Sequence, residues 1–141
     1  MFASTDLVAA FAAVFIALYA AHQVGDHWIQ TQHQATCKGA PGRRGRVACA
    51  AHVVTYTATA VVALAVTAVT LGLALDPGQT VAGLAVSGVS HYVIDRRRPL
   101  RRLADWLGKD PAWLERGGGL YALDQSAHVG FLFAAALVVT A

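Results

Sequence analysis

Three segments of the chain pair a histidine with an aspartate four residues away: His22–Asp26, His91–Asp95 and Asp124–His128. On a helix this spacing stacks both side chains on one face. Gln30 extends the first stripe, Gln125 follows Asp124, and His52–Tyr56 repeats the spacing in a fourth apolar stretch. Neutral imidazoles and carboxylates are donors that zinc, iron and manganese accept. Helical bundles build such sites from facing residues three or four apart. The candidate ligands are therefore His22, Asp26, His52, His91, Asp95, Asp124 and His128. They exceed the needs of one tetrahedral ion, so either two ions bind or some groups act as outer hydrogen-bond partners and general bases. Asp26, Asp95 and Asp124 are the candidate bases, and Gln30, Tyr56 and Gln125 the candidate supporting donors.

Those residues need elements that bring them together. The chain has 141 residues, of which 56% are hydrophobic and only 13% charged. A soluble domain carries about 25% charged residues, so this chain has too little polar surface for water. Its apolar runs predict an all-α integral membrane bundle, one domain over residues 1–141. Four spans are expected, at about 6–30, 47–75, 79–95 and 120–141, since a crossing helix takes about 20 apolar residues.

Charge gives the orientation. All eleven Lys and Arg residues fall in the first and third connections. By the positive-inside rule those connections are cytoplasmic and both termini outside. The four helices alternate in direction, so all the stripes meet in the cytoplasmic leaflet. The first connection, "TQHQATCKGAPGRRGR" from Thr31 to Arg46, reads as a flexible loop with topology-setting charges. In the third, Leu100, Leu103, Trp106 and Leu107 repeat at helical spacing. Asp110-Pro111 looks like the start of a further turn, so a short interfacial helix is expected there. The formal charge of +3 points to anionic lipid at the basic loops, and no nucleic-acid partner is expected. Small residues from Gly83 to Gly88 would suit a helix partner, so an oligomer is compatible with the sequence.

The ordered set "AHQVGDHWIQTQ", "AHVVTYT", "SHYVIDRRR" and "LDQSAH" resembles a family of small bacterial membrane proteins, domain of unknown function 3307. The resemblance covers nearly the whole chain and falls on His22, Asp26, Gln30, His52, His91, Asp95, Asp124, Gln125 and His128. It implies a multi-pass protein of the bacterial inner membrane, and no assigned activity. "SHYVIDRRR" also has a distant likeness to inner-membrane proteins described as metal-dependent hydrolases.

A His/Asp layer inside apolar helices is costly unless something offsets it. One or two divalent ions would do so and could activate water against a lipid-linked or membrane-proximal ester or phosphoester. Arg96, Arg97 and Arg98 at the mouth would suit a phosphate-bearing substrate. The rival from another class is a non-enzymatic membrane module, either an ion or proton translocator or a partner subunit whose polar layer packs the bundle. A translocator should continue its polar path outward, where only Thr67, Thr70 and Ser4 are available.

Overall fold

A computed structural model describes residues 5–141, and within them all the regular structure is helical, with no strand. Helix α1 (Thr5–Val24) runs into a π-helical turn at Gly25–Ile29. Then come α2 (Gln32–Cys37), α3 (Gly42–Leu71), α4 (Pro77–Asp95), α5 (Arg98–Trp106), α6 (Pro111–Arg116) and α7 (Gly119–Val139). The four long helices form a closed ring of neighbours: α1 against α3, α3 against α4, α4 against α7, and α7 back against α1.

Three segments are long and apolar enough to cross a membrane: Asp6–Ile29, Gly42–Leu71 and Gly119–Val139. This is a helical membrane protein. Helix α4 is not among the three; its 19 residues include Gln79, Thr80, Ser87, Ser90, His91 and Asp95.

The half of the bundle away from the His/Asp end is packed by Val14, Leu18, Ala60, Leu64, Leu132, Ala135, Ala136 and Val139, all buried. Among lipids, helices are held together by close packing rather than by exclusion of water. Gly83 shows how close that packing is: a Cβ there would lie 2.4 Å from Val139 Cγ2. The small residues of α4 thus serve contacts within the chain, Gly83 against α7 and Gly88 beside Thr57 and Val53 of α3.

The element boundaries differ from the sequence reading in physically traceable ways. Helix α3 starts at Gly42 rather than Val47 and stops at Leu71, where Gly72 takes a left-handed φ of 64° and caps it. Asp76 caps the next helix by accepting the Gln79 N–H, with Pro77 in its first turn.

The first connection is more ordered than a flexible loop. Thr31 and Gln34 form a reciprocal capping box that starts α2, with bonds of 2.9 and 3.2 Å. The third connection holds two short helices instead of one, because Asp110 accepts the Trp113 N–H at 2.7 Å and starts α6. Arg101 joins the two by pairing with Asp105 at 2.9 Å and Glu115 at 3.2 Å. Those two carboxylates raise its already high pKa.

The π turn alters the end of the first helix. Gln30 N–H reaches back five residues to Gly25 O at 2.9 Å, and the chain leaves the helix there. Gln30 is therefore a helix-end residue and not a third member of an α-helical stripe. Single π turns occur often at functional sites.

Candidate metal centre

The C-terminal ends of α1 and α4 and the N-terminal ends of α3 and α7 meet at one end of the bundle. There they bury His22, His52, His91, His128 and Asp95 almost completely. The side chain of Asp26, on the π turn, is 6% exposed.

Four atoms converge most tightly: His52 Nε2, His91 Nε2, Asp26 Oδ1 and Asp95 Oδ2. The two imidazole nitrogens are 3.0 Å apart. His52 Nε2 lies 3.3 Å from Asp26 Oδ1 and 3.4 Å from Asp95 Oδ2. His91 Nε2 lies 3.4 Å from Asp26 Oδ1 and 3.2 Å from Asp95 Oδ2. Donors placed tetrahedrally around zinc at its usual 2.0–2.1 Å would be separated by about 3.3 Å. The four nitrogen-to-carboxylate separations are close to that size, and the two imidazole nitrogens are slightly nearer to each other.

The hydrogen bonding points the same way. Neither Asp26 Oδ1 nor Asp95 Oδ2 receives a hydrogen bond, although each is buried and faces nitrogens. Two neutral imidazoles can share one proton along the His52–His91 line, which leaves both carboxylate oxygens without a donor. A buried carboxylate oxygen that accepts no hydrogen bond is unfavourable. A cation beside either carboxylate oxygen would satisfy it together with the imidazole nitrogens it faces. Two groups, His22–Asp26–His91 and His52–His91–Asp95, have ligand atoms close enough for such an ion.

A second tier surrounds the cage. His22 is fully buried and neither ring nitrogen has a hydrogen bond; its Nδ1 lies 3.7 Å from Asp26 Oδ1. His128 Nδ1 donates to the Asp124 carbonyl at 2.8 Å. That bond fixes the tautomer, so Nε2 presents a lone pair, unpartnered and 4.0 Å from Asp95 Oδ1. The His22 and His128 rings stack with centroids 4.8 Å apart. Tyr56 stacks on His91 at 4.0 Å and its hydroxyl is 2.6 Å from Ser87 Oγ.

Asp124 stands apart from the cage. It is partly exposed, 3.5 Å from His128 Nδ1, and accepts a 3.2 Å hydrogen bond from Gln125. Gln30, Asp124 and Gln125 line a cleft of about 470 Å³ that also reaches Asp26 and Asp95. The cage therefore has an open side.

Two residues outside the expected set prove central. Lys38 Nζ is 2.8 Å from Asp95 Oδ1, and its side chain is only 10% exposed. The lysine is held in place from α4, since the Arg96 guanidinium donates to the carbonyls of Lys38 and Ala40. Arg96 is thus a structural clamp. Ser87, the partner of Tyr56, lies four residues before His91 and so on the same helix face. That spacing was the signal by which it could have been found. His27 is exposed; its Nδ1 donates to the Gln23 carbonyl, and its Nε2 lies 3.3 Å from Tyr121 Oη.

The family described as "Protein of unknown function (DUF3307)" matches residues 14–141, and the chain belongs to it. No curated protein and no solved structure matches the chain.

Proposed function

We propose that this member of the family is a four-span protein of the bacterial cytoplasmic membrane. On this reading it holds a divalent ion between His52, His91, Asp26 and Asp95 and hydrolyses a lipid-linked or membrane-proximal ester or phosphoester. The observation that supports the reading is the convergence of His52, His91, Asp26 and Asp95 at separations of 3.0–3.4 Å, with Asp26 Oδ1 and Asp95 Oδ2 lacking a well-aligned hydrogen bond.

The fourth span is α4, whose outward residues Val81, Val89 and Val93 are apolar and exposed. By the positive-inside rule, the basic connections favour a cage in the cytoplasmic leaflet and termini outside. The same connections would rest against anionic lipid.

Zinc, iron or manganese would supply Lewis acidity and an acidified water at this site. His22 and His128 have nitrogens free to position that water or to take a second ion. Asp124 is the general base, because it lines the cleft without belonging to the cage. In the reaction the water oxygen bonds to the carbonyl carbon or phosphorus, and its proton passes to Asp124. The ester C–O or P–O bond then breaks, and the departing oxygen takes that proton.

The rival reading as a conduit has less support. Beyond the His/Asp layer the described core is apolar from Leu18 to Val139. Thr70 is exposed, and Ser4 lies outside the described residues.

The test is metal-loaded protein in mixed micelles with chromogenic carboxylate and phosphate esters, wild type beside Asp124→Asn. Turnover in the wild type alone supports the reading. Full metal content with no product from any ester would remove the hydrolase assignment.

A further inference from the structure

The cleft beside the cage carries a charge pattern of its own. Asp26, Asp95, Asp124 and Glu115 line it, against Lys38 and Arg97. Four carboxylates and two cations leave the protein's own lining at −2. Arg101 bridges Glu115 to Asp105, and adding that pair leaves the balance at −2. A lining of that sign repels an anion, whereas one divalent ion in the cage brings the balance to neutral.

The two cations are not equivalent. Lys38 is buried and engages Asp95, but an ammonium has three donors, so others remain for a second oxyanion. The Arg97 backbone bonds to Ile94 and Arg101, while its guanidinium has no hydrogen-bond or ion-pair partner among the described residues. Its stem lies over Gly39, where a Cβ would come 2.9 Å from Arg97 Cδ, and its guanidinium is exposed at the cleft mouth. Between the two cations and the cage is room for a ligand with several oxygens. On the same lining, Leu100, Leu114 and Leu120 offer an apolar wall.

We propose that this cleft binds the oxyanion of a phosphomonoester, held by Arg97 and Lys38, and that it does so only after the metal has bound. Arginine suits this task because its planar fork matches two phosphate oxygens at once. The leucine wall would accept the first carbons of an alkyl substituent. The proposal rests on the metal reading above and adds to it a substrate class and an order of binding. The same chemistry is offered by a lipid headgroup and by free phosphate, and the experiment separates them.

Full-length protein in detergent is loaded with Mn²⁺, its metal content measured, and inorganic phosphate titrated while phosphorus-31 relaxation is followed. A paramagnetic ion in the cage broadens the phosphate signal only if phosphate sits beside it. Broadening is expected in the wild type, with apparent affinity weakened about tenfold or more in Arg97→Ala and partly restored in Arg97→Lys. The manganese content should be equal in all three. Lysophosphatidic acid added to the micelles should displace inorganic phosphate, and lysophosphatidylcholine should not, if the source is a headgroup monoester. Phosphate binding that neither lipid disturbs assigns the site to the soluble anion. Manganese bound without broadening, or with equal broadening in Arg97→Ala, overturns the anion site and leaves the metal centre standing. Absence of bound manganese overturns both.

Discussion

Lys38 and Asp95 form a buried ion pair of 2.8 Å, while the other oxygen of the same carboxylate faces His52 and His91. Asp95 therefore joins two layers, a protein cation on one side and the candidate metal position on the other. The pair explains how α2, a six-residue helix, is drawn down onto the bundle, with Arg96 closing over the Lys38 and Ala40 carbonyls. Replacing Lys38 by Met should leave a buried carboxylate without its cation. A loss of about 3 kcal/mol is expected for a broken buried pair. Added metal should restore part of it, because the ion supplies charge to the same group. Thermal unfolding with and without zinc reads this directly, and a metal-independent loss would contradict it.

The cage and the second tier should respond differently to truncation. His52→Ala or His91→Ala removes a donor from the cage and should abolish stoichiometric binding. His22→Ala and His128→Ala should lower affinity by about 10–100-fold, the range found for outer groups that orient ligands. Competition with a chelator of known affinity checks both. Equal effects at all four histidines would mean that the cage is not the primary site.

Asp124→Asn separates binding from chemistry. The residue lines the cleft but lies outside the cage, so metal content should be unchanged. Loss of a general base typically costs about 10²–10⁴ in rate. A fall in metal content that matches the fall in hydrolysis would make Asp124 a ligand instead.

Gly83 gives a prediction about the scaffold. Any side chain there meets Val139 and the Ala135 carbonyl, so Gly83→Val should force α4 away from α7 at a cost of about 1–3 kcal/mol. His91 and Asp95 are carried on α4, and metal affinity should drop with stability. Unchanged stability would show that the α4–α7 contact is looser than described.

Much of this arrangement was legible in the residues. The His/Asp stripes stood out because ionisable groups inside apolar runs are expensive, and four alternating helices bring such stripes to one end whatever their exact packing. Hydropathy alone did not distinguish α4, whose inward face is polar and whose outward face is apolar. Lys38 was hidden for the opposite reason. It sits in a polar, glycine-rich connection where a charge costs nothing, and only the tertiary clamp by Arg96 turns it into a buried cation. The π turn was equally hidden, since "VGDHWIQ" has the spacing of an ordinary helix end, and Gly25 accommodates the turn by packing against Tyr56. The capping box that orders α2 was visible as Thr31 and Gln34, three residues apart, and was masked by the surrounding loop-like composition.

The central claim is that the cage binds metal, and elemental analysis of detergent-purified protein tests it most directly, wild type beside His52→Ala/Asp95→Ala. The account predicts at least one transition-metal ion per chain in the wild type, or after reconstitution, and none in the variant. Wild-type protein that holds no metal even after reconstitution, with both proteins folded, would contradict it and make the His/Asp layer a packing device.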